Sequence, residues 1–426
     1  MRLNWLMRLW RAAIAVAVVL ALITSVSRPS TGSSGASAAT AELTIGAVLD
    51  LKSGWTSLGR ASRVTLRLAA ADANARLAAS GSATRVRLRI VDVRGDPRAA
   101  ARALRRLAAQ GVRLVIGPQA SSEVRAVRAA AERHGVVLIS QGSTAHSLAI
   151  RGDNVLRFVP DDRREGEALV ALLQRDGVDA IVPVWRGDAG NAGLASSVRL
   201  HFRRVGGSVA DGVRYGASVS DFTSTLDRVR RQVASLRSGG ASRVAVYLAG
   251  FDEVVGLFEA ATGAPLFGSL PWYGSDGVAL SPRLVAAREA AAFAASVGYP
   301  NPILGLDATA ARRSRRLVRR TQARLGRRPD AFALAAYDAL QVAVAAAGRA
   351  GAVDDPARLR RAVVGAAQGY RGVTGNLVLN PAGDRAFGSY DFWSVCTNGA
   401  SPAWKRTWSY LATRPGRGRI VARGDC

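Results

Sequence analysis

The segment Val136-Val-Leu-Ile-Ser-Gln-Gly-Ser-Thr144 decides the fold of this chain. Its apolar half has the length of one buried strand, and the strand runs directly into glycine and hydroxyl residues. Such an end exposes backbone N–H groups where a helix can begin, and that arrangement suits a carboxylate. Serine and threonine after a strand more often only cap a helix. The segment alone therefore leaves two interpretations open, a helix cap and an anion site.

A second strand-to-helix turn lies just upstream. Residues 112–116 form an apolar run, and Gly117-Pro-Gln-Ala-Ser-Ser-Glu123 follows it. The two turns are adjacent in the chain and both are rich in small hydroxyl residues. Together they predict a cradle for a small anion.

From residue 42 onward, short apolar runs alternate with longer amphipathic ones. The predicted strands are at residues 43–51, 86–93, 112–116, 136–140, 181–185 and 244–249. Strand–helix alternation of this kind predicts an α/β protein whose parallel sheets are covered by helices on both faces. A new set of helices and strands begins after Pro160, which indicates that the chain crosses there from one α/β lobe to another.

Composition sets the broad class. The 426 residues are enough for two domains, and 49% hydrophobic with 21% charged residues is typical of a globular protein. The net charge of +28 could indicate a polyanion partner, and all but two of the 59 basic residues are arginine. However, the arginines are spread over nearly every predicted helix and do not alternate with exposed aromatic residues. We therefore expect no nucleic-acid partner, and polyanion binding is the third of our three hypotheses.

The first 41 residues are predicted to be a signal peptide and linker. Arginines precede an uncharged apolar run at residues 12–23, and Ala36-Ser-Ala38 is an acceptable cleavage site. The apolar run is short for a spanning helix of about 20 residues. Export with cleavage is the favoured prediction, and an uncleaved N-terminal anchor is the alternative.

Two cysteines, Cys396 and Cys426, stand near one end of the chain. In an exported protein this predicts a disulfide that fixes the tail, with two free thiols as the alternative. The three histidines are isolated and lack ligand spacing, so neither a metal nor another cofactor is expected. The phosphate-binding, dinucleotide, nucleophile-elbow and zinc-protease motifs do not occur, which favours a binding protein over an enzyme.

At this point the residues indicate a family. The chain resembles the type I periplasmic solute-binding proteins, in particular the branched-chain amino-acid-binding group that is related to the ligand-binding domains of glutamate receptors. The resemblance extends over residues 43–395 and rests on the order of several short motifs: Ile45-Gly-Ala-Val-Leu-Asp-Leu-Lys-Ser-Gly54, Val115-Ile-Gly-Pro-Gln-Ala-Ser-Ser122, Leu138-Ile-Ser-Gln-Gly-Ser-Thr144, Asp221-Phe-Thr-Ser224, Tyr273-Gly-Ser-Asp-Gly277 and Tyr337-Asp-Ala-Leu340.

The resemblance implies two Rossmann-like lobes with parallel sheets, joined by three crossovers and closing on a ligand. The implied first lobe contains residues 42–159 and 297–387, and the second contains residues 160–296 and 388–426.

The same resemblance implies a binding site. Ser121, Gly142, Ser143 and Thr144 match positions that hold the α-carboxylate of an amino acid. Asp276 matches the acidic residue that binds the α-ammonium, and Phe251 matches an aromatic residue that closes over the ligand. Leu58 falls where an aromatic residue of the first lobe is common. As alternatives, Asp276 could be only a turn residue and Phe251 only a core residue.

The sequence also departs from the family pattern. In the loop Asp188-Ala-Gly-Asn-Ala-Gly193, Gly190 or Asn191 stands where an aromatic residue is usual. The change widens the pocket and puts a hydrophobic specificity in doubt, while Asn191 becomes a further candidate ligand contact.

The sequence thus predicts a monomeric, exported protein that captures a small amino acid or related amide at the outer face of the cytoplasmic membrane. The expected partner is the permease of an ABC-type transporter, which binds the closed form. The alternative is a sensor ectodomain of the same fold whose closure signals to a membrane partner.

Overall fold

The computed structural model describes residues 41–53, 55–306, 308–350, 354–397, 401–414 and 416–426. The predicted cleavage site and the apolar run before it lie outside the described residues. The first part of the fold contains β1 (Glu42–Leu49), α1 (Thr56–Ala79), β2 (Arg85–Asp92), α2 (Pro97–Ala109), β3 (Leu114–Ile116), α3 (Ser121–Arg133), β4 (Val137–Ser140), a single 3-10 turn (His146–Leu148) and β5 (Val155–Pro160).

The middle part has the same alternation. It contains α4 (Asp162–Arg175), β6 (Ala180–Arg186), α5 (Ala189–Arg204), β7 (Ser208–Val209), β8 (Val213–Tyr215), α6 (Thr223–Ser238), β9 (Val244–Ala249), α7 (Val254–Ala261), α8 (Pro265–Gly268), β10 (Trp272–Tyr273), α9 (Pro282–Ala286), α10 (Arg288–Ser296) and β11 (Asn301–Leu304). The last part contains α11 (Ala308–Leu325), α12 (Ala331–Ala350), α13 (Pro356–Ala367), β12 (Arg371–Gly372), β13 (Gly375–Asn376), β14 (Asp384–Arg385), β15 (Tyr390–Cys396), β16 (Ala403–Arg414) and β17 (Arg417–Ala422).

Local sequence explains how these elements start and which face they bury. In α2, Asp96 caps the helix by accepting a hydrogen bond from the Arg98 amide at 2.8 Å, and Pro97 occupies the first turn. The buried residues of α2 recur at intervals of three and four, as expected for one face of a helix: Ala100, Ala103, Leu104 and Leu107.

Two parallel sheets form the centres of two lobes. The first sheet has the strand order β14-β5-β4-β3-β1-β2, and the second has the order β10-β9-β6-β7 with β8 also paired to β6. Alternate residues of one strand face opposite sides, so Leu114 packs towards α1 and α12 while Val115 packs towards α2 and α3. The predicted α/β architecture with two parallel sheets is confirmed.

Within the described residues, the chain passes between the lobes near residues 160–162, 304–306 and 385–390. Helix α12 belongs to the first lobe, where its buried alanines and leucines pack against the first sheet. It is long and apolar enough to cross a membrane, yet most of its apolar surface is inside the protein. The residue limits that the sequence assigned to each lobe remain a prediction.

A third sheet, antiparallel and ordered β11-β15-β16-β17, closes the fold at the C-terminal end. Its aromatic residues Tyr390, Phe392 and Tyr410 join the apolar cluster under α4 and α5 of the second lobe. A disulfide joins Cys396 at the end of β15 to Cys426, with the Cα atoms 5.0 Å apart. The last strand is thereby held by backbone hydrogen bonds and by a covalent bond.

A buried ion pair connects the early and late parts of the first lobe. Arg157 on β5 is 0% exposed, and its Nε and Nη2 donate to the two carboxylate oxygens of Asp384 on β14 at 2.6 and 2.7 Å. Nη1 donates to the carbonyl oxygens of Ala145 at 2.7 Å and Ser143 at 3.4 Å. One guanidinium therefore satisfies a carboxylate and two carbonyls, and it fixes the loop that follows β4.

We expect Asp384→Ala to lower the free energy of unfolding by about 3–5 kcal/mol, because it leaves a buried guanidinium without its counter-ion. The matched control is Asp227→Ala, which removes a carboxylate that pairs with Arg230 at the surface of α6 at 2.7 Å. That exposed pair should contribute less than about 1 kcal/mol. Urea unfolding of both variants is the measurement, and equal losses would contradict the importance assigned to Arg157.

The double variant Cys396→Ser, Cys426→Ser should lower the free energy of unfolding by about 3–4 kcal/mol in the chain-entropy model, since the bridge closes a loop with a sequence separation of 30 residues. The comparison is urea unfolding of the oxidised parent and the variant. Thiol counting on the denatured, unreduced parent is the control, and two free thiols would show that the bridge does not form.

Candidate functional site

A cavity of about 370 Å³ lies where the two lobes meet. Its walls come from loops that follow the carboxyl ends of parallel strands, which is where open α/β sheets bind ligands. The first lobe contributes residues after β1, β2 and β3, and the second contributes residues at the ends of β6 and β9. The lining includes Ser53, Trp55, Arg94, Ser121, Arg186, Asp188, Phe251, Asp252, Glu253 and Arg283.

The loop between β1 and α1 brings an aromatic residue into the cavity. The buried Asp50 carboxylate holds this loop by accepting hydrogen bonds from the Ser53 hydroxyl and from the Trp55 amide, the latter at 3.3 Å. Burial raises the pKa of Asp50, although these hydrogen bonds oppose the shift. A Cβ added at Gly59 would overlap the Asp50 carbonyl oxygen, so glycine is required where α1 crosses the end of β1.

Two contacts join the lobes beside the cavity. The Trp55 ring meets the Phe251 ring edge to face, with centroids 4.5 Å apart. The Ser57 hydroxyl donates to Asp252 Oδ2 at 3.2 Å, while Ser281 of the second lobe donates to Asp252 Oδ1 at 2.6 Å. Burial raises the pKa of Asp252, and the two hydroxyl groups oppose that shift. The structure therefore has the lobes in contact across the cleft.

The two hydroxyl-rich turns lie side by side, because β3 and β4 are neighbouring parallel strands. Ser140 Oγ donates to the Pro118 carbonyl at 2.7 Å and accepts from the Ser143 amide at 3.1 Å. The hydroxyls of Ser121 and Ser143 are 3.0 Å apart, and Ser121 Oγ also accepts from the Ala145 amide at 3.2 Å. The turns are thus held together by their own hydroxyl groups.

The structure corrects one expectation for this region. No α-helix begins directly after β4, which ends at Ser140. A loop leads instead to the short 3-10 turn at His146–Leu148. The reason is Arg157, which draws the carbonyl groups of Ser143 and Ala145 inward, where they cannot accept helical hydrogen bonds. Only the upstream turn ends in a helix N-terminus, that of α3 at Ser121.

The N-terminus of α5 approaches that of α3 across the cleft. A Cβ placed on Gly190 would lie 3.7 Å from Ser121 Oγ, so the two helix ends are in near contact. Asp188 caps α5 by accepting from the amides of Gly190 at 3.0 Å and Asn191 at 3.1 Å. The small Gly190 leaves the space that a large side chain would fill.

Charged groups of both signs line the cavity. Arg186 lies 3.2 Å from Asp188 and 3.2 Å from Glu253, and its guanidinium is 5.1 Å from the centre of the Phe251 ring. Arg94 and Arg283 are exposed at the rim. This lining suits a polar or charged ligand better than a purely aliphatic one.

A buried cluster of three carboxyl groups lies behind the first turn of α5. Glu165 accepts a hydrogen bond from the Asp276 amide at 3.1 Å, and both side chains are buried. Asp162 belongs to the same cluster, and its amide donates to the Thr144 carbonyl oxygen at 2.9 Å. Burial raises the pKa of Asp276 to about 7 and that of Asp162 to about 8, and it raises the pKa of Glu165 well above its usual range.

The residues predicted from the sequence occupy several different environments. Ser121 and Phe251 line the cavity, and Ser143 is one hydrogen bond behind Ser121. Thr144 and Asp276 belong to the carboxyl cluster and do not line the cavity. Asn191 is buried in the first turn of α5, where its side-chain amide donates to Asp188 Oδ2 at 2.8 Å.

The other two predicted residues are packed away from the cavity. Gly142 lies against Gln119, whose Cγ would be 2.7 Å from an added Cβ. Leu58 is not a lining residue: it is buried in an apolar cluster with Phe251 and Phe332. Helix α1 begins at Thr56 and turns Leu58 inward, whereas the ring of Trp55, just before the helix, lines the cavity. Sequence reasoning missed Trp55 and Arg186, although each stands close to the end of a predicted strand.

Comparisons with known proteins agree with this geometry. A family model described as periplasmic binding protein matches residues 42–400. An uncharacterised protein of Methanocaldococcus jannaschii is 27% identical over 408 residues, which is 92% of this chain and 95% of that protein.

Three solved structures are similar in fold. A leucine-binding protein from Thermotoga maritima has a TM-score of 0.72 at 21% identity and covers 85% of this chain and 97% of its own. A branched-chain amino acid transporter substrate-binding protein from Streptococcus pneumoniae, in complex with isoleucine, has a TM-score of 0.69 at 18% identity. The match covers 90% of this chain and 100% of that protein. A solute-binding protein from R. palustris, in complex with benzoate, has a TM-score of 0.69 at 18% identity. The match covers 90% of this chain and 98% of that protein.

We expect Gly59→Ala to lower the free energy of unfolding by about 1–3 kcal/mol, because the added methyl group must displace the backbone at Asp50. The matched control is Gly365→Ala on α13, where an added Cβ meets no atom within 4 Å. That substitution should stabilise the helix by up to about 1 kcal/mol. Urea unfolding measures both variants, and a neutral Gly59→Ala would show that the loop carrying Trp55 is not tightly constrained.

Proposed function

The chain belongs to the type I periplasmic binding proteins, in the leucine-binding-like family, and we propose that it captures a small amino acid or related amide and delivers it to an ABC-type membrane transporter. As a member of this family it is a solute-binding protein and not an enzyme. The observation that carries the proposal is the cavity between the lobes, with hydroxyl groups and a helix N-terminus on one side and buried carboxyl groups behind the other.

The two halves of the site suit the two ends of a zwitterion. The N-terminus of α3, with the hydroxyls of Ser121 and Ser143, favours a carboxylate. The carboxyl cluster around Asp276 favours an ammonium group. A ligand that contacts both sides would bridge the lobes and shift the equilibrium between open and closed forms towards the closed form.

The charged lining supports a polar ligand rather than leucine. Arg186 and its partners Asp188 and Glu253 occupy the second-lobe wall, and Gly190 leaves room beside them. An amide or carboxylate side chain can exchange hydrogen bonds with these groups, whereas a branched aliphatic side chain would remove water from them without supplying a hydrogen bond.

We propose that the protein acts outside the cytoplasmic membrane. Family membership, the apolar run at residues 12–23 and the Cys396–Cys426 disulfide support this location. The transporter permease is the proposed partner, and a monomer is the proposed form.

A thermal-shift screen over amino acids, amides and small carboxylates tests the proposed function. A ligand that binds the native state raises the apparent stability by RT ln(1 + [L]/Kd), which is about 2.7 kcal/mol at a hundredfold excess over Kd. We expect at least one polar amino acid or amide to raise the melting temperature in a concentration-dependent way. If no compound of these classes does so, the proposed function is wrong.

For the compound that binds, we propose that the ligand reaches Asp276 and Thr144, which lie behind the cavity wall. Asp276→Ala should then abolish binding detectable by calorimetry, because an ammonium group left unpaired in a buried site costs about 3–5 kcal/mol. Thr144→Ala should weaken binding by about one to two orders of magnitude, the effect of losing one hydrogen bond to a charged group. Ser238→Ala, at the exposed end of α6, is the control and should bind like the parent. Unchanged affinity in Asp276→Ala would refute this assignment of the site.

A further inference from the structure

We propose that the protein has a second binding site, for a small multivalent oxyanion, in a cavity of about 1110 Å³ that lies beside the ligand cavity. The bound molecule would carry two or more phosphate or carboxylate groups. The cavity lies between α3 of the first lobe and α4 and α5 of the second, and Asp188 belongs to the walls of both cavities. This site is separate from that of the proposed function, and it does not need the ligand cavity to be occupied.

The walls of the second cavity have an excess of positive charge. Five arginines and two carboxylates line it, whereas the ligand cavity has three arginines and three carboxylates. The five arginines are Arg125, Arg163, Arg164, Arg204 and Arg214. Because the ligand cavity of the same arginine-rich chain is balanced in charge, composition alone does not account for the excess.

The two carboxylates on the wall neutralise only one of these arginines. Asp188 is paired with Arg186 of the ligand cavity at 3.2 Å, and it accepts hydrogen bonds from the first amides of α5. Glu167 accepts a hydrogen bond from Arg164 Nη1 at 2.9 Å. Four arginines of the cavity therefore depend on other groups for their counter-ions.

Three of those four have no carboxylate partner. The exception is Arg163, which is paired with Asp161 at 2.7 Å. In the part of the chain that the structure describes, the arginines of the cavity without a paired carboxylate are Arg125, Arg204 and Arg214. The three like charges repel one another across a partly enclosed space, so an anion bound between them is favoured.

The arginine charges also act on a half-buried histidine in the wall. Burial lowers the pKa of His201, the Glu167 carboxylate opposes this shift, and arginines of α4 and α5 that line the cavity add to it. Positive charges from two helices therefore converge on the same part of the cavity.

Neutral groups hold two of the unpaired guanidiniums in place. In the first lobe, Arg125 Nη2 donates to the Ser147 hydroxyl at 3.1 Å. In the second lobe, Arg214 Nη2 donates to the Gly187 carbonyl at 3.5 Å, and a Cβ added at Gly187 would lie 2.6 Å from Arg214 Nε. Each guanidinium has five N–H donors, so both retain donors for a ligand.

These features define the class of ligand. A guanidinium binds phosphate or carboxylate through two parallel, charge-assisted hydrogen bonds. Three unpaired arginines are best matched by an anion with several negative charges, since a monovalent anion would leave most of the repulsion in place. An anion that contacts Arg125 and Arg214 would also join the two lobes and favour the closed form.

Calorimetry at constant ionic strength tests the site, with pyrophosphate and citrate as separate probes and no amino acid present. At least one of the two should bind the parent. Arg125→Gln and Arg214→Gln should each weaken binding about tenfold or more, because each removes hydrogen bonds to a charged group. Both side chains are exposed, so the variants should keep the melting temperature of the parent.

The control is Arg237→Gln, at the exposed end of α6 in the second lobe. It changes the net charge of +28 by the same amount as the other two substitutions, and it should bind the probes like the parent. The control thereby separates a site from general attraction of anions to a basic protein.

Binding of only one probe would support the site and show which oxyanion it prefers. The proposal is overturned if neither probe binds, or if Arg237→Gln weakens binding as much as Arg214→Gln does. Unchanged affinity in Arg125→Gln would contradict a site shared by the two lobes. If Arg283→Gln, at the rim of the ligand cavity, abolishes binding while the Arg125 and Arg214 variants bind normally, the anion occupies the ligand cavity and the second site is wrong.

Discussion

The buried guanidinium of Arg157 is the constraint on which the site depends. A charge removed from water must be paired and its remaining N–H groups must be satisfied. Asp384 supplies the pairing, and the carbonyl oxygens of Ser143 and Ala145 supply the rest. The same contacts position the turn that presents Ser143 to Ser121, so one buried side chain links the edge of the first sheet to the wall of the cleft.

The contacts across the cleft influence the equilibrium between the open and closed arrangements of the two lobes. An aromatic contact between Trp55 and Phe251 and a hydrogen bond from Ser57 to Asp252 join the lobes. These contacts are few compared with the apolar cores inside each lobe, so they bias an equilibrium without locking it. Ligand contacts then need to contribute only a modest additional free energy to make the closed form predominant.

The sequence was sufficient for the architecture because the architecture follows from local patterns. The apolar runs at residues 112–116 and 136–140 correspond to β3 and β4, and their pairing places the two hydroxyl-rich turns together. What the sequence could not supply depends on partners far apart in the chain. The pairs Arg157–Asp384 and Glu165–Asp276 have separations of 227 and 111 residues. Trp55 was missed for a local reason, since the exact start of α1 decides whether it or Leu58 faces the cavity.

The late position of α12 has a consequence for how the protein reaches its native state. The helix fills one face of the first sheet, yet the five strands β1 to β5 of that sheet end at residue 160. A chain emerging from its N-terminus would hold the first five strands with this apolar face uncovered until residues 331–350 appear. Completion of the first lobe therefore depends on contacts between residues far apart in the chain, and such contacts slow folding.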